Sequence, residues 1–133
     1  MILRKVWVQD LFSYRGKVEL DLTKPRVDHP GAVVLVHGRN GQGKTSLLNS
    51  LKLLFGGVTE RMRGDAVQGV MLKQNEYLTG RRPQWWGVLH RGARAPGQTY
   101  GVGAEWDSAD GAVRLSAAGR WATTASLKTP WAR

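Results

Sequence analysis

Between Gly38 and Ser46 the chain reads GRNGQGKTS, and these are the residues whose types and spacing carry chemistry. Gly38, Gly43, Lys44 and Thr45 satisfy the spacing G-x-x-x-x-G-K-[ST], with Arg39, Asn40, Gly41 and Gln42 between. Gly41 and Gly43 let the backbone fold tightly, so that successive N–H groups point into one concavity. A helix opening at Lys44 adds its unpaired N–H groups and the positive end of its dipole to the same spot. Lys44 supplies a point charge for β- and γ-phosphates, and Thr45 a hydroxyl for Mg²⁺, which keeps few protein ligands. Ser46 is expected near the α-phosphate. The chemistry is the capture of a nucleotide's phosphate chain. An ordinary glycine turn is the competing reading, and the flanking elements decide between them.

Those elements follow from period. AVVLVH (32–37) is apolar on both faces and predicts a strand buried in the middle of a sheet. From Lys44 the period changes to that of a helix. Leu47, Leu48, Leu51, Leu54 and Phe55 form one apolar stripe, and Gly56 and Gly57 end it. Strand, glycine loop, helix is the order a phosphate cradle needs.

Upstream, residues 2–8 predict a strand with Ile2, Val6 and Val8 on one face and Lys5 and Trp7 on the other. KVELDL (17–22) alternates without a break, and the short LFSYRG connection suggests an antiparallel pair. TKPRVDHPG (23–31) reads as a loop. Downstream, Asp65 is expected to cap a helix carrying Val67, Val70, Met71 and Leu78 and ending at Gly80. Pro83 is expected to open a shorter helix through QWWGVLHR. RGARAPGQ (91–98) is read as a loop. TYGVGAEW and AVRLSAAGRW flank DSADG as a hairpin, with Val113, Leu115 and Ala117 on one face. The tail from Ala122 has no period.

The chain's 133 residues suit one small domain with its own core. No run approaches the about 20 apolar residues of a membrane span, and the first ten residues lack a secretory signal's apolar core. With no cysteine there is no disulfide framework or thiolate site, and a cytoplasmic location without membrane attachment is the expectation. The formal net charge is +10, which attracts polyanions. Residues 31–58 hold Arg39, Lys44 and Lys52 without one acidic residue, and most of the remaining excess falls in 59–100. The middle of the chain is where an anion belongs.

Other candidates are weaker. Trp85 and Trp86 stand among Arg81, Arg82, Arg91 and Arg94, where they could stack on nucleic acid. The simpler reading makes one tryptophan an anchor and leaves the arginines solvated. His29, His37 and His90 have no metal-ligand spacing, and His37 reads as a structural histidine at the end of a buried strand. Trp7, Trp106 and Trp121 read as packing residues. No apolar run ends in the acidic residue that turnover of a bound nucleotide requires. Glu105 and Asp107 read as turn and edge residues, so binding is supported and hydrolysis is not.

GRNGQGKTSLLNSL, with its Asn40-Gly41-x-Gly43-Lys44-Thr45 core, resembles the ABC-type ATPase heads of the SMC and RecF class. LRKVWVQDLFSYRGKVELDL resembles their opening strand, their F-x-S-Y-R-G connector and their second strand. Among these heads the chain is most similar to DndD-like proteins of DNA phosphorothioate modification and phage defence. The resemblance covers residues 1–57 well and 99–121 loosely. It implies an α/β fold: the N-terminal lobe of a P-loop NTPase head, with antiparallel strands beside a central Walker A strand and helix. It implies ATP and Mg²⁺ as ligands, with Thr45 toward the metal and the basic Arg15 of the connector toward a phosphate. It also implies DNA as a partner and paired heads that sandwich ATP between them.

The departures are equally informative. The coiled coil, signature helix, Walker B strand and switch histidine of such heads have no counterpart in the sequence, nor does the Q-loop glutamine. LSAAGR (115–120) has the look of a signature but sits in a period-two strand. Residues 1–133 are therefore expected to be the N-terminal lobe of a head, an incomplete domain whose hydrolysis requires the remainder of the head or a second head. The alternative is a basic P-loop module that binds DNA or a partner head without turnover. A small P-loop kinase or nucleotidyl enzyme fits least, lacking an acidic metal ligand and a lid.

Overall fold

The computed structural model describes residues 2–23, 34–93, 99–109 and 111–120. The alternation near the N-terminus produces β1 (Ile2–Gln9), with Val6 and Val8 buried. Ile2, expected on that face, is exposed at the strand's start, where the register slips between Leu3 and Lys5. β2 (Lys17–Asp21) pairs antiparallel to β1, placing Val18 opposite Val8 and Leu20 opposite Val6. An ion pair of 2.9 Å between Lys5 and Glu19 crosses the polar face, and Lys17 lies over the Trp7 ring.

The hairpin expected downstream forms β3 (Thr99–Ser108) and β4 (Gly111–Arg120). LSAAGR lies within β4, in a strand and not at a helix start. β3 pairs antiparallel with β1, a long-range contact that no local pattern announces. The sheet order is β2-β1-β3-β4. Arg4 pairs with Asp107 and Arg114 with Glu105, which makes both carboxylates strand residues fixed by ion pairs.

The period change at Lys44 marks α1 (Lys44–Gly56), which lies against β3 and β4. Gly57 ends it, donating its N–H to the Leu53 carbonyl at 2.9 Å. The buried face differs from the expected stripe. Leu47, Ser50, Leu53 and Leu54 are inside, whereas Leu48 is 52% and Phe55 60% exposed. Adjacent residues Leu53 and Leu54 straddle the contact line, so the face is rotated away from Leu48. Phe55 instead turns its ring toward Trp106, 6.2 Å between centroids.

Residues 58–90 depart further from expectation. Thr59, not Asp65, caps a helix here: its hydroxyl accepts the Met62 N–H at 3.2 Å and opens α2 (Glu60–Asp65). Asp65 stands at the far end of that helix. After a turn closed between Val67 and Val70, α3 (Gln74–Thr79) ends at Gly80, as expected. Pro83 opens no helix. Arg81 and Trp85 exchange backbone hydrogen bonds of 2.8 and 2.9 Å across a tight turn, and Val88 and Leu89 are buried in the core, Leu89 bridging to Leu11.

The largest correction concerns 32–37. Residues 34–37 belong to no strand, and Val34, Leu35 and Val36 are 52%, 83% and 51% exposed. Residues 32 and 33 lie outside the described residues. A central strand needs a neighbour on each edge, and the strands of this sheet are joined only to one another. Among the described residues, the antiparallel part of the expected architecture is present, and no central strand lies beside it. His37 is accordingly exposed and no buried structural histidine. The 24–31 loop, His29, Arg94, Trp121 and the tail from Ala122 lie outside the described residues.

Candidate nucleotide-binding site

The site begins with the connector between β1 and β2. Asp10 is buried, and its carboxylate accepts the Gly16 N–H at 2.6 Å, while the Asp10 N–H donates to the Gly16 carbonyl at 3.2 Å. These bonds close residues 10–16 into a tight loop. Asp10 and Phe12 have φ of 51° and 52°, a left-handed conformation uncommon outside glycine. Two bonds from the 88–90 segment hold it: the Phe12 N–H donates to the Val88 carbonyl at 2.6 Å, and the His90 N–H to the Asp10 carbonyl at 2.9 Å.

The loop so fixed presents two hydroxyls to the start of α1. Ser13 Oγ and Ser46 Oγ are 2.7 Å apart, and Tyr14 Oη donates to the Gly43 carbonyl at 3.2 Å. Gly41 and Gly43 take φ of 83° and 90°, the region glycine enters at least cost. A Cβ on Gly43 would stand 3.1 Å from Ser13 Oγ and 3.3 Å from the Tyr14 hydroxyl, so crowding adds to the conformational cost of any side chain there.

Within the loop, the Gln42 Oε1 atom accepts the Arg39 N–H at 2.7 Å. Lys44 Nζ donates to the Gly38 and Arg39 carbonyls at 2.6 and 2.8 Å, which folds its ammonium back across the loop. Asn40, Gly41 and Thr45 are exposed. No side chain caps α1, and its first turn has no acidic residue, so the positive dipole end is uncompensated there. Backbone donors, one ammonium and the hydroxyls of Thr45 and Ser46 converge on one end of one helix. That donor set suits a phosphate chain, and Thr45 is the exposed hydroxyl available to a hydrated Mg²⁺.

Arg15 is placed differently from Ser13 and Tyr14. Its Nε lies 3.4 Å from where a Gly92 Cβ would stand, on the side of the 91–93 turn. Sequence reasoning singled out Arg15 from the connector and passed over Asp10, Ser13 and Tyr14. The signal for Asp10 was an aspartate preceding a glycine across a short aromatic loop. A separate cleft of about 710 Å³ takes its lining from Phe12, Phe55, Tyr77 and Trp85, with Lys52 and Arg61. None of residues 38–46 lines it.

A family model described as an AAA domain matches residues 5–82. The match runs from β1 through the connector and glycine loop to the turn after α3. No curated protein matches the chain.

Proposed function

The chain belongs to the AAA domain family, nucleotide-binding ATPases of the P-loop class, and from that premise we propose that it binds Mg²⁺–ATP through residues 38–46 as part of an SMC- or RecF-like ATPase acting on DNA, in repair, modification or phage defence. The observation that carries this reading is the junction of glycine loop and α1. Two left-handed glycines, the Lys44 ammonium and an uncapped helix start meet there, braced by Ser13 and Tyr14.

In this reading Lys44 leaves the Gly38 and Arg39 carbonyls and places its charge on the phosphates, while Gly41, Gly43 and the first N–H groups of α1 bind phosphate oxygens. Thr45 is a ligand to the metal and Ser46 lies toward the α-phosphate, whereas Arg15, whose Nε stands beside the 91–93 turn, must swing from there to add charge to the phosphates. Mg²⁺, when bound, withdraws charge from the phosphates and fixes their conformation. No described carboxylate stands at the loop. The acidic residue that orients water for hydrolysis is assigned to the remainder of an ATPase head or to a second head. The exposed Val34–Val36 segment supports that assignment, being a run of apolar side chains with no sheet partner among the described residues.

Thermal unfolding with and without Mg²⁺–ATP tests the reading. A ligand at a hundred times its Kd stabilises a fold by about 2.7 kcal/mol, so the melting temperature rises by several degrees in the intact chain. Lys44→Ala, at the same nucleotide concentration, cuts that rise to about half or less. An equal rise in both proteins would place the nucleotide elsewhere.

A further inference from the structure

We propose that Arg82, Trp86 and Arg91 form a binding platform for single-stranded nucleic acid, a site that goes beyond the nucleotide-binding reading. Trp86 is 42% exposed, and two guanidinium groups lie over its ring, Arg91 at 4.5 Å and Arg82 at 5.0 Å from the centroid. Arg81 is exposed beside them. Arg81, Arg82 and Arg91 are exposed, as the simpler reading of this segment has it, and its anchoring tryptophan is Trp85. Its indole N–H donates to the Tyr77 carbonyl at 2.8 Å, and its ring stacks on Tyr77 at 5.5 Å.

That anchor makes the platform rigid. The Arg81–Trp85 bonds close the turn on one side of Trp86, and the Val88 N–H donates to the Leu78 carbonyl at 3.1 Å on the other. Gly87, between them, is packed so closely on residues 78–80 that a Cβ would meet the Leu78 carbonyl oxygen at 2.6 Å. Trp86 therefore lies between two hydrogen-bonded, closely packed backbone segments.

Ion pairing separates these arginines from four others. Arg4, Arg61, Arg63 and Arg114 each pair with a carboxylate. Among the described residues, none stands at salt-bridge distance from Arg81, Arg82 or Arg91. A guanidinium lying over an aromatic ring keeps its N–H edge free for bidentate bonds to phosphate. Flat guanidinium and indole groups also accept unstacked bases, which a duplex does not present. A membrane surface fits less well. Among the described residues, the exposed sequence neighbours are Arg81, Arg82, Pro83 and Gln84, with no large aliphatic side chain to enter the acyl region.

The test is fluorescence anisotropy of the whole 133-residue chain with a labelled oligothymidylate of about 20 nucleotides, across a salt series, without ATP. Arg82→Ala/Arg91→Ala is expected to weaken binding at least about tenfold and to flatten the salt slope by about 1.4, or about 0.7 per lost phosphate contact. Trp86→Ala is expected to weaken it roughly fivefold or more, the loss of one stacking contact. Arg61→Ala/Arg114→Ala, which removes the same formal charge elsewhere, is expected to stay within about twofold of the intact chain. Equal weakening in both double variants would overturn the platform in favour of a diffuse field. So would tighter binding of the matching duplex, or binding of anionic vesicles with none of the oligonucleotide.

Discussion

At the scale of single residues, the site depends on positions where one atom decides. Gly43 sits where a left-handed backbone meets the Ser13 and Tyr14 hydroxyls, so a Cβ there is both strained and crowded. Lys44 satisfies two carbonyls of its own loop, so nucleotide binding exchanges those bonds for phosphate contacts, and the net gain is smaller than the bare attraction. Buried phenols set a different limit. Burial favours the neutral form of Tyr77 and pushes its pKa up to about 12, and it raises that of Tyr100 as well. The fold therefore holds phenolic protons that the unfolded chain releases near pH 10. Their contribution is complete below that pH and is lost as pH rises toward 12. Urea unfolding measured from about pH 9 to about pH 12 is expected to show stability falling through this window, less steeply in Tyr77→Phe. A flat profile would contradict it.

At the scale of elements, α1 links cradle and core, since it begins at Lys44 and buries Leu53 completely. Leu53→Ala is expected to cost about 2–5 kcal/mol, and Leu48→Ala, half exposed, no more than about 1 kcal/mol; chemical denaturation of both variants checks the assignment, and equal losses would contradict it. The sequence showed that this helix exists and where it starts and stops, because a period change and paired glycines are local signals. It misjudged the buried face, since a stripe containing Leu48 and Phe55 is as apolar as the true one and only the position of the sheet distinguishes them. Both hairpin-like pairs were legible for the same local reason, and the pairing of β1 with β3 was not. The connector's geometry stayed hidden because Asp10 and Phe12 adopt a left-handed backbone that their residue types disfavour. Thr59 was missed as a cap because Asp65 offered the same chemistry a few residues later.

At the scale of the whole molecule, the connector between β1 and β2 meets the glycine loop, while Val34, Leu35 and Val36, which lead into that loop, stand exposed. Their apolar composition was read correctly and their burial was not, because composition reports what a segment prefers and not what is present to cover it. Exposed apolar backbone without a sheet partner promotes self-association. Leu35→Lys is expected to lower the weight-average mass in concentrated solution, measured by sedimentation, without lowering the melting temperature; an unchanged mass distribution would contradict this. The central claim concerns the other face of the same loop, the capture of a nucleotide's phosphates. Titration of a fluorescent ATP analogue with Mg²⁺ into the folded chain and into folded Lys44→Ala tests it most directly. Saturable binding that the substitution weakens by about tenfold or more, the loss of a charge-assisted contact, is the expected result. Equal binding by both proteins, or none by the intact chain, would contradict it.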